Sequence, residues 1–146
     1  MTATYRFLED IALADAAFEA TGDSPSELFQ AASHALMDTL ANPATISPRW
    51  ERTIMRRDPD LSALLFDWLS DLVYLKDAEG VVFHDARVTL THDAGGGEWR
   101  LSGTLSGAPV DPACQELRAD VKGVTKHLYE LTREGNRWKA RVVLDI

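Results

Sequence analysis

The chain has 146 residues, of which 45% are hydrophobic and 26% charged, and this composition predicts one globular domain spanning residues 1–146. The formal net charge is −8 and the basic residues are scattered, which argues against stable direct binding of nucleic acid, because phosphate recognition needs clustered lysines and arginines. No apolar run is long enough for a membrane span, and the single cysteine, Cys114, cannot form an internal disulfide, so we expect a protein of the reducing cytoplasm.

The first part of the sequence predicts two strands and a helix. Residues 5–8 and 11–20 have the alternating side chains of strands. Ser24 is a good N-cap, Pro25 suits the first helical position, and Glu27 completes a capping box. The apolar residues that then share one face of this helix are Leu28, Ala32, Leu36 and Leu40.

The middle of the sequence predicts a strand and a second helix. Residues 50–57 form the candidate strand, and Asp58 with Pro59 repeats the start pattern of the first helix. Gly80 is expected to end the second helix. This helix is indicated by a stripe of helical period that comprises Leu61, Leu64, Leu65, Trp68, Leu69, Leu72 and Leu75.

The remainder predicts four strands, at residues 81–91, 99–105, 117–132 and 137–146, with a hairpin turn at residues 135–136. A two-residue turn fixes the register of this last hairpin. In this register most charged residues face residues of opposite charge, and most apolar residues face apolar residues. The predicted pairs are Glu134–Arg137, Leu131–Ala140, Glu130–Arg141, Tyr129–Val142, Leu128–Val143, His127–Leu144 and Lys126–Asp145. Lys126, as the predicted partner of Asp145, lies on the same face as Asp145. Lys122 precedes Lys126 by four residues, so it lies on that face too if no bulge intervenes.

The last residues of the sequence form an apolar, strand-like run that contains the carboxylate of Asp145. Pairing of this run into a sheet would fix that carboxylate and the carbonyl or carboxylate of Ile146, and fixed oxygens are the ligands of hard cations. Asp15 is a second carboxylate within an apolar stretch, which is costly to bury unless it is paired or bound to a metal. Two interpretations fit: Asp15 faces water on an edge strand, or it meets Asp145 across the sheet and shares a divalent cation.

The other candidates have simpler explanations. Lys122, within a β-branched run, either extends harmlessly into solvent or contacts a phosphate or the acidic residues. His127, in a predicted core strand, is explained by an ordinary structural hydrogen bond, and Cys114 by an apolar or exposed loop position. The sequence has no phosphate loop, dinucleotide fingerprint or zinc motif, so we assign no catalytic residue.

Taken together, four parts of the sequence resemble the archease family along nearly the whole chain. They are Tyr5-Arg6-Phe7-Leu8-Glu9 with Ala14-Asp15, Gly22-Asp23-Ser24 and Glu27-Leu28-Phe29; Leu64-Leu65-Phe66-Asp67-Trp68-Leu69 with Leu72-Val73-Tyr74-Leu75 and Glu79-Gly80; Asp111-Pro112 and Glu116-Leu117 with Val121-Lys122-Gly123-Val124-Thr125-Lys126-His127; and Trp138 with Val142-Val143-Leu144-Asp145-Ile146. Each is weak alone, and their order and spacing make the joint match specific.

The resemblance implies a compact α+β fold with a mixed or antiparallel sheet packed against two main helices. It also implies an accessory protein, not an enzyme, that acts on the RtcB-type RNA-splicing ligase, which joins tRNA halves or broken RNA ends. In that family archease promotes transfer of guanylate from GTP onto the ligase histidine and allows repeated turnover. The resemblance assigns the metal ligands to Asp15, Asp145 and Ile146, and the functional lysine to Lys122.

This chain departs from the family pattern at two places. The family usually has His-Thr-Ala-Asp at the first metal carboxylate, where this chain has Ala12-Leu13-Ala14-Asp15. Asp10 is an alternative match, and Asp15 is preferred because its distance to Gly22 fits. Gly123 replaces the usual alanine, which is expected to loosen that strand.

Three functions fit these observations. The first is a non-enzymatic cofactor of an RNA ligase, whose acidic charge suits a basic ligase cleft. The second is a metal-dependent phosphoryl-transfer or nucleotide-handling enzyme that uses Asp15, Asp145 and Lys122, and it is disfavoured because no nucleophile–base pair is evident. The third is a chaperone-like binding module without metal. Oxygen ligands suit Ca²⁺, Mg²⁺ or Mn²⁺, and we expect Ca²⁺ first.

Overall fold

The computed structural model describes residues 3–9 and 15–146. Within them the strands are β1 (Thr4–Leu8), β2 (Asp15–Gly22), β3 (Trp50–Asp58), β4 (Val81–Asp93), β5 (Glu98–Pro109), β6 (Gly123–Glu134) and β7 (Arg137–Asp145), and the α-helices are α1 (Pro25–Leu40) and α2 (Leu61–Glu79). The strands form two antiparallel sheets, of order β1-β2-β7-β6 and β3-β5-β4. The predicted α+β class with two main helices is confirmed. The predicted strand residues 11–14 and the alternative ligand Asp10 lie outside the described residues.

The first helix begins as the sequence predicts. The Ser24 hydroxyl accepts a hydrogen bond of 3.2 Å from the backbone N–H of Glu27, which satisfies one of the free donors of the first turn. The Glu27 carboxylate in turn accepts a hydrogen bond of 2.9 Å from the backbone N–H of Asp23. These reciprocal bonds fix the start of α1, whose apolar face packs against β2 and β4.

The second helix begins at Leu61, with Asp60 as its N-cap instead of the predicted Asp58. The Asp60 carboxylate accepts a hydrogen bond of 3.0 Å from the N–H of Ser62, whereas Asp58 accepts one of 2.8 Å from the N–H of Asp60. Both aspartates have a capping side chain, so the residue type alone does not distinguish them. The helix ends at Gly80, whose φ of 62° is the left-handed conformation that glycine adopts without strain. No helix of the described chain is long and apolar enough to cross a membrane.

One hydrophobic core joins both helices to both sheets, and Trp68 of α2 lies within it. The Trp68 indole N–H donates a hydrogen bond of 2.8 Å to the hydroxyl of Ser33, which donates one of 2.6 Å to the carbonyl of Phe29 in α1. The same ring lies against Gly103 of β5, where a Cβ atom would be 2.3 Å from the ring. The tryptophan therefore connects α1, α2 and the second sheet.

Two predicted strand limits are wrong. β5 continues to Pro109 instead of ending at residue 105, because Gly107 allows a close approach that places a hypothetical Cβ 2.1 Å from the carbonyl oxygen of Val82. The strand predicted at residues 117–132 starts only at Gly123, and the residues before it have no regular structure apart from one isolated bridge. A β-rich composition therefore did not identify where pairing begins.

The β6–β7 register is confirmed beside the turn and wrong farther from it. The pairs Glu134–Arg137, Leu131–Ala140 and Glu130–Arg141 form as predicted. Residues 126–129 then form a bulge, and Leu128 within it has a φ of 57°, which is rare for a residue with a branched side chain. Pairing resumes with Thr125–Val143, Val124–Leu144 and Gly123–Asp145, so the predicted pairs Tyr129–Val142, Leu128–Val143, His127–Leu144 and Lys126–Asp145 are replaced.

Candidate functional site

Asp15 at the start of β2 lies directly opposite Asp145 at the end of β7. Directly opposed residues of antiparallel strands project from the same face of the sheet, so the two carboxylates share a face. Within the described part of the chain neither side chain forms a hydrogen bond or an ion pair. Because like charges in this position repel each other, the pair is suited to a shared cation.

Ile146 adds a main-chain oxygen next to Asp145. Its side chain packs against the hydrophobic core, and Leu144 on the other side of Asp145 is fully buried, so the end of β7 is anchored on both sides. The resulting donor set contains oxygen only, which fits Ca²⁺, Mg²⁺ or Mn²⁺. No three His, Cys, Asp or Glu side chains form a metal cluster in the described ranges. A metal here would therefore depend on Ile146 as well as on the two carboxylates.

Lys122 reaches the same place through its backbone. Its N–H donates a hydrogen bond of 2.7 Å to the carbonyl of Asp145, and its side chain is exposed. Gly123, not Lys126, lies opposite Asp145, so strand alternation no longer places Lys122 on the Asp145 face. Among the described residues, no atom lies within 4 Å of a Cβ added to Gly123, so none of them covers this side of Asp145.

The segment that carries Lys122 is held against the end of α1. Leu117 forms an isolated bridge with Ala41, and the N–H groups of Arg118 and Ala119 donate to carbonyls of α1 at 2.9 and 3.0 Å. Val121 is fully buried. The position of Lys122 is thus fixed by local docking, although this segment is not a strand.

Lys76 of α2 also holds the segment that carries Lys122, and the sequence analysis did not identify it. Its ammonium group is buried and lies 2.5 Å from the carboxylate of Asp120 and 2.7 Å from that of Asp77. Burial alone lowers the pKa of Lys76, but the hydrogen bonds to Asp120 and Asp77 outweigh it and raise the pKa above 10.5. The sequence does contain a signal for this burial. Lys76 follows Leu72 by one helical turn, so it lies on the apolar face of α2.

The remaining candidates lie elsewhere. His127 is exposed within the bulge and not in the core, because the register shift removes it from the paired part of β6. Cys114 is exposed, and the hydrogen bond from its thiol to the Asp111 carboxylate at 3.3 Å raises its pKa. In the parts of the chain that the structure describes, no histidine hydrogen-bonds to a serine, threonine or cysteine. The arrangement therefore contains no activated nucleophile of that type.

Comparison with known proteins identifies related sequences over nearly the full chain. Residues 5–146 match the model of the Archease protein family (MTH1598/TM1083). Protein archease of Methanosarcina barkeri is 33% identical over 142 residues, which cover 97% of this chain and 95% of the relative. Protein archease of Pyrococcus furiosus is 35% identical over 134 residues, which cover 91% of this chain and 93% of the relative.

Two solved structures share the fold. The solution structure of Methanobacterium thermoautotrophicum protein 1598 aligns with a TM-score of 0.79 at 29% identity and covers 97% of this chain and 98% of that chain. The crystal structure of an archease, possible chaperone, from Thermotoga maritima aligns with a TM-score of 0.63 at 22% identity over the same shares. The second likeness is one of fold alone.

Proposed function

The chain belongs to the archease family, and from this premise we propose that it is a non-enzymatic cofactor of an RtcB-type RNA ligase. In this role it promotes guanylylation of the ligase from GTP and supports multiple turnover in tRNA splicing or RNA repair. Asp15, Asp145 and Ile146 are the residues that would hold a divalent cation, with Ca²⁺ expected first. The observation that carries the proposal is the opposed pair of carboxylates, which has no cationic partner in the described chain.

The residues of the site have separate tasks in this proposal. A divalent cation supplies positive charge to phosphate oxygens when it is bound. The strands β2 and β7 place Asp15 and Asp145 opposite each other, so the fold itself brings the two residues together. Lys122 is bonded to Asp145 through its backbone and carries an exposed ammonium group, which in this proposal contacts a phosphate of the nucleotide on the ligase.

The charge of the chain supports a protein partner. A net charge of −8 attracts a basic surface and opposes the approach of RNA, whose phosphates are also negative. A ligase cleft that binds RNA and GTP carries the required positive charge. We therefore expect the chain to act on the ligase and not to bind RNA stably by itself.

The test is an assay of ligase guanylylation with the purified cognate ligase, GTP and RNA ends in excess. Addition of the chain is expected to increase the yield of ligase–guanylate and of joined RNA over several turnovers. Asp145→Asn is expected to lose this stimulation, whereas Glu130→Gln, an exposed carboxylate on the same sheet, is expected to keep it. Absence of stimulation by the unaltered chain contradicts the ligase role, and full stimulation by Asp145→Asn contradicts the role of the carboxylate pair.

Two other functions predict different outcomes. A phosphoryl-transfer enzyme that uses Asp15, Asp145 and Lys122 is the second candidate, and it predicts that the chain hydrolyses GTP without the ligase. The Thermotoga maritima relative is described as a possible chaperone, and that role predicts suppression of aggregation of a client protein. Asp145→Asn would abolish the first activity and leave the second unchanged.

A further inference from the structure

The edge of the β3-β5-β4 sheet that β4 forms is closed by side chains of α1. The Ser26 hydroxyl accepts a hydrogen bond of 2.9 Å from the N–H of Leu90, and the Gln30 amide oxygen accepts one of 2.9 Å from the N–H of Val88. The amide nitrogen of Gln30 also donates to the carbonyl of Ala86. Because these backbone groups are already satisfied, another strand cannot pair with residues 86–90 of this edge.

The opposite edge of the same sheet, formed by β3, is open. In the described residues the backbone of β3 pairs with β5 on one side only. The two most exposed large apolar side chains of the described chain lie beside it, Met55 at 78% and Tyr74 at 68%. Both line a cavity of about 280 Å³ together with Ile54. An open edge next to exposed apolar surface is a template for a further strand.

The arginines on the inner face of β3 do not prevent such pairing. Arg56 forms a bidentate ion pair with Asp71 at 2.5 and 2.8 Å, and Arg52 pairs with Glu79. Each of these charges is therefore balanced within the chain. Unpaired charges on an edge strand would repel a second strand, but these are neutralised by α2.

We propose that the open β3 edge pairs antiparallel with β3 of a second copy, about a two-fold axis at Ile54. In this register Glu51 of each copy lies opposite Arg57 of the other. Both side chains are exposed, and neither forms an ion pair within the described part of its own chain. Placing the axis at Thr53 instead removes this match. Placing it at Met55 sets Arg52 opposite Asp58, but Arg52 already pairs with Glu79, and Asp58 already accepts a hydrogen bond from the N–H of Asp60. The charges of Glu51 and Arg57 therefore favour the axis at Ile54.

The rest of the contact is compatible with this register. Arg52 of one copy lies opposite Arg56 of the other, and each brings its own carboxylate from α2, so the row is neutral. The centre of the contact is apolar and contains Ile54, Met55 and Tyr74. Charged residues lie on both sides of this centre, and an apolar core with a polar rim is the usual anatomy of an interface. The contact is isologous and closes after two copies. This inference does not depend on the proposed ligase role.

The oligomeric state tests the proposal. Sedimentation velocity over a range of concentrations is expected to show a reversible dimer for the unaltered chain. Glu51→Arg or Arg57→Glu places like charges opposite each other at two symmetric positions, and we expect the dimer to weaken by about tenfold. Glu130→Arg, which makes the same change of charge on the other sheet, is expected to leave the dimer unchanged.

A mixture of the two variants gives the decisive result. In a mixed dimer the introduced arginine faces the introduced glutamate, and the remaining Arg57 faces the remaining Glu51, so native mass spectrometry is expected to show mainly mixed dimers. Circular dichroism verifies that each variant is folded. The proposal is overturned by an unaltered chain that stays monomeric at all concentrations, by variants that dimerise as well as the unaltered chain, or by folded variants that form no mixed dimer.

Discussion

The backbone N–H of Lys122 donates a hydrogen bond of 2.7 Å to the carbonyl oxygen of Asp145. This bond attaches the segment before β6 to the end of β7, so the proposed functional lysine and a proposed metal ligand belong to one local structure. The contact is made by backbone atoms, and the side chain of Lys122 is exposed. The identity of this side chain is therefore expected to affect function and not folding.

Replacement of Lys122 by alanine tests this separation. Lys122→Ala is expected to lower stimulation of the ligase and to change the free energy of unfolding by less than about 0.5 kcal/mol, since the exposed side chain forms no hydrogen bond or ion pair with the described residues. Lys126→Ala is the matched control, because the Lys126 ammonium lies 3.7 Å from the centre of the Phe66 ring. Its loss is expected to cost about 0.5–1 kcal/mol without affecting the ligase. Urea unfolding measures the stabilities, and the guanylylation assay measures the stimulation. A larger loss of stability in Lys122→Ala than in Lys126→Ala would contradict a purely functional role of the Lys122 side chain.

Metal removal tests the carboxylate pair without the ligase. After treatment with a chelator, Ca²⁺ at about 100 times its dissociation constant is expected to stabilise the unaltered chain by about 2.7 kcal/mol. Asp145→Asn is expected to lose this response, and without metal it is expected to be at least as stable as the unaltered chain, because one of two opposed charges is removed. Thermal unfolding with Ca²⁺, Mg²⁺ and Mn²⁺ in turn measures the response. An equal Ca²⁺ response in both proteins contradicts the assignment.

The features that were predicted well depend on local chemistry. The start of α1 follows from a hydroxyl, a proline and a carboxylate within four consecutive residues, 24–27, and the structure contains both expected capping bonds. The turn at residues 135–136 likewise sets the pairs closest to it. In both cases the interacting groups are neighbours in the sequence, so tertiary packing has little opportunity to override them.

The features that were missed depend on distant contacts. The bulge at residues 126–129 changes the register without any interruption in composition, so alternation alone predicted the wrong partner for Asp145. The ion pair between Lys76 and Asp120 joins α2 to a segment far along the sequence, and no periodic pattern encodes it. Asp15 does lie opposite Asp145, whereas their role as metal ligands stays a prediction.

The bulge itself stores backbone strain that a substitution can relieve. Leu128 has a φ of 57°, a conformation that costs a residue with a Cβ atom about 1–2 kcal/mol. Leu128→Gly removes this cost but increases the flexibility of the unfolded chain, so we expect a net gain in stability of about 0.5 kcal/mol. Leu131→Gly, in the regularly paired part of β6, is the control and is expected to destabilise. Urea unfolding of the two variants gives the comparison, and a destabilised Leu128→Gly chain would show that the leucine side chain compensates for the strain.

The contact between Gly103 and Trp68 predicts a strong steric effect. In Gly103→Ala the new Cβ would lie 2.3 Å from the indole ring, and we expect a loss of about 2–3 kcal/mol in the free energy of unfolding. The added variant Trp68→Phe shortens the ring, so the double variant is expected to lose less than the sum of the single losses. Gly123→Ala is the control, since its Cβ meets no atom of the described residues within 4 Å. Additive losses in this cycle would contradict a direct clash.

Lys76 predicts how stability depends on pH at the alkaline end. Burial lowers its pKa, the bonds to Asp120 and Asp77 raise it more, and the pKa in the folded chain therefore lies above the ordinary value of 10.5. A group with a higher pKa in the folded state stabilises the fold fully below its unfolded pKa, and this stabilisation disappears as the pH rises through the folded pKa.

The measurable quantity is the difference in free energy of unfolding between the unaltered chain and Lys76→Met. We expect this difference to be constant from about pH 8 to pH 10. At higher pH the unaltered chain is expected to lose stability relative to Lys76→Met, because Lys76 loses its proton. Lys126→Met, which removes an exposed lysine, is expected to show a smaller change over the same range. A difference for Lys76→Met that stays constant through the alkaline range would mean that the ion pair with Asp120 does not hold the segment that carries Lys122.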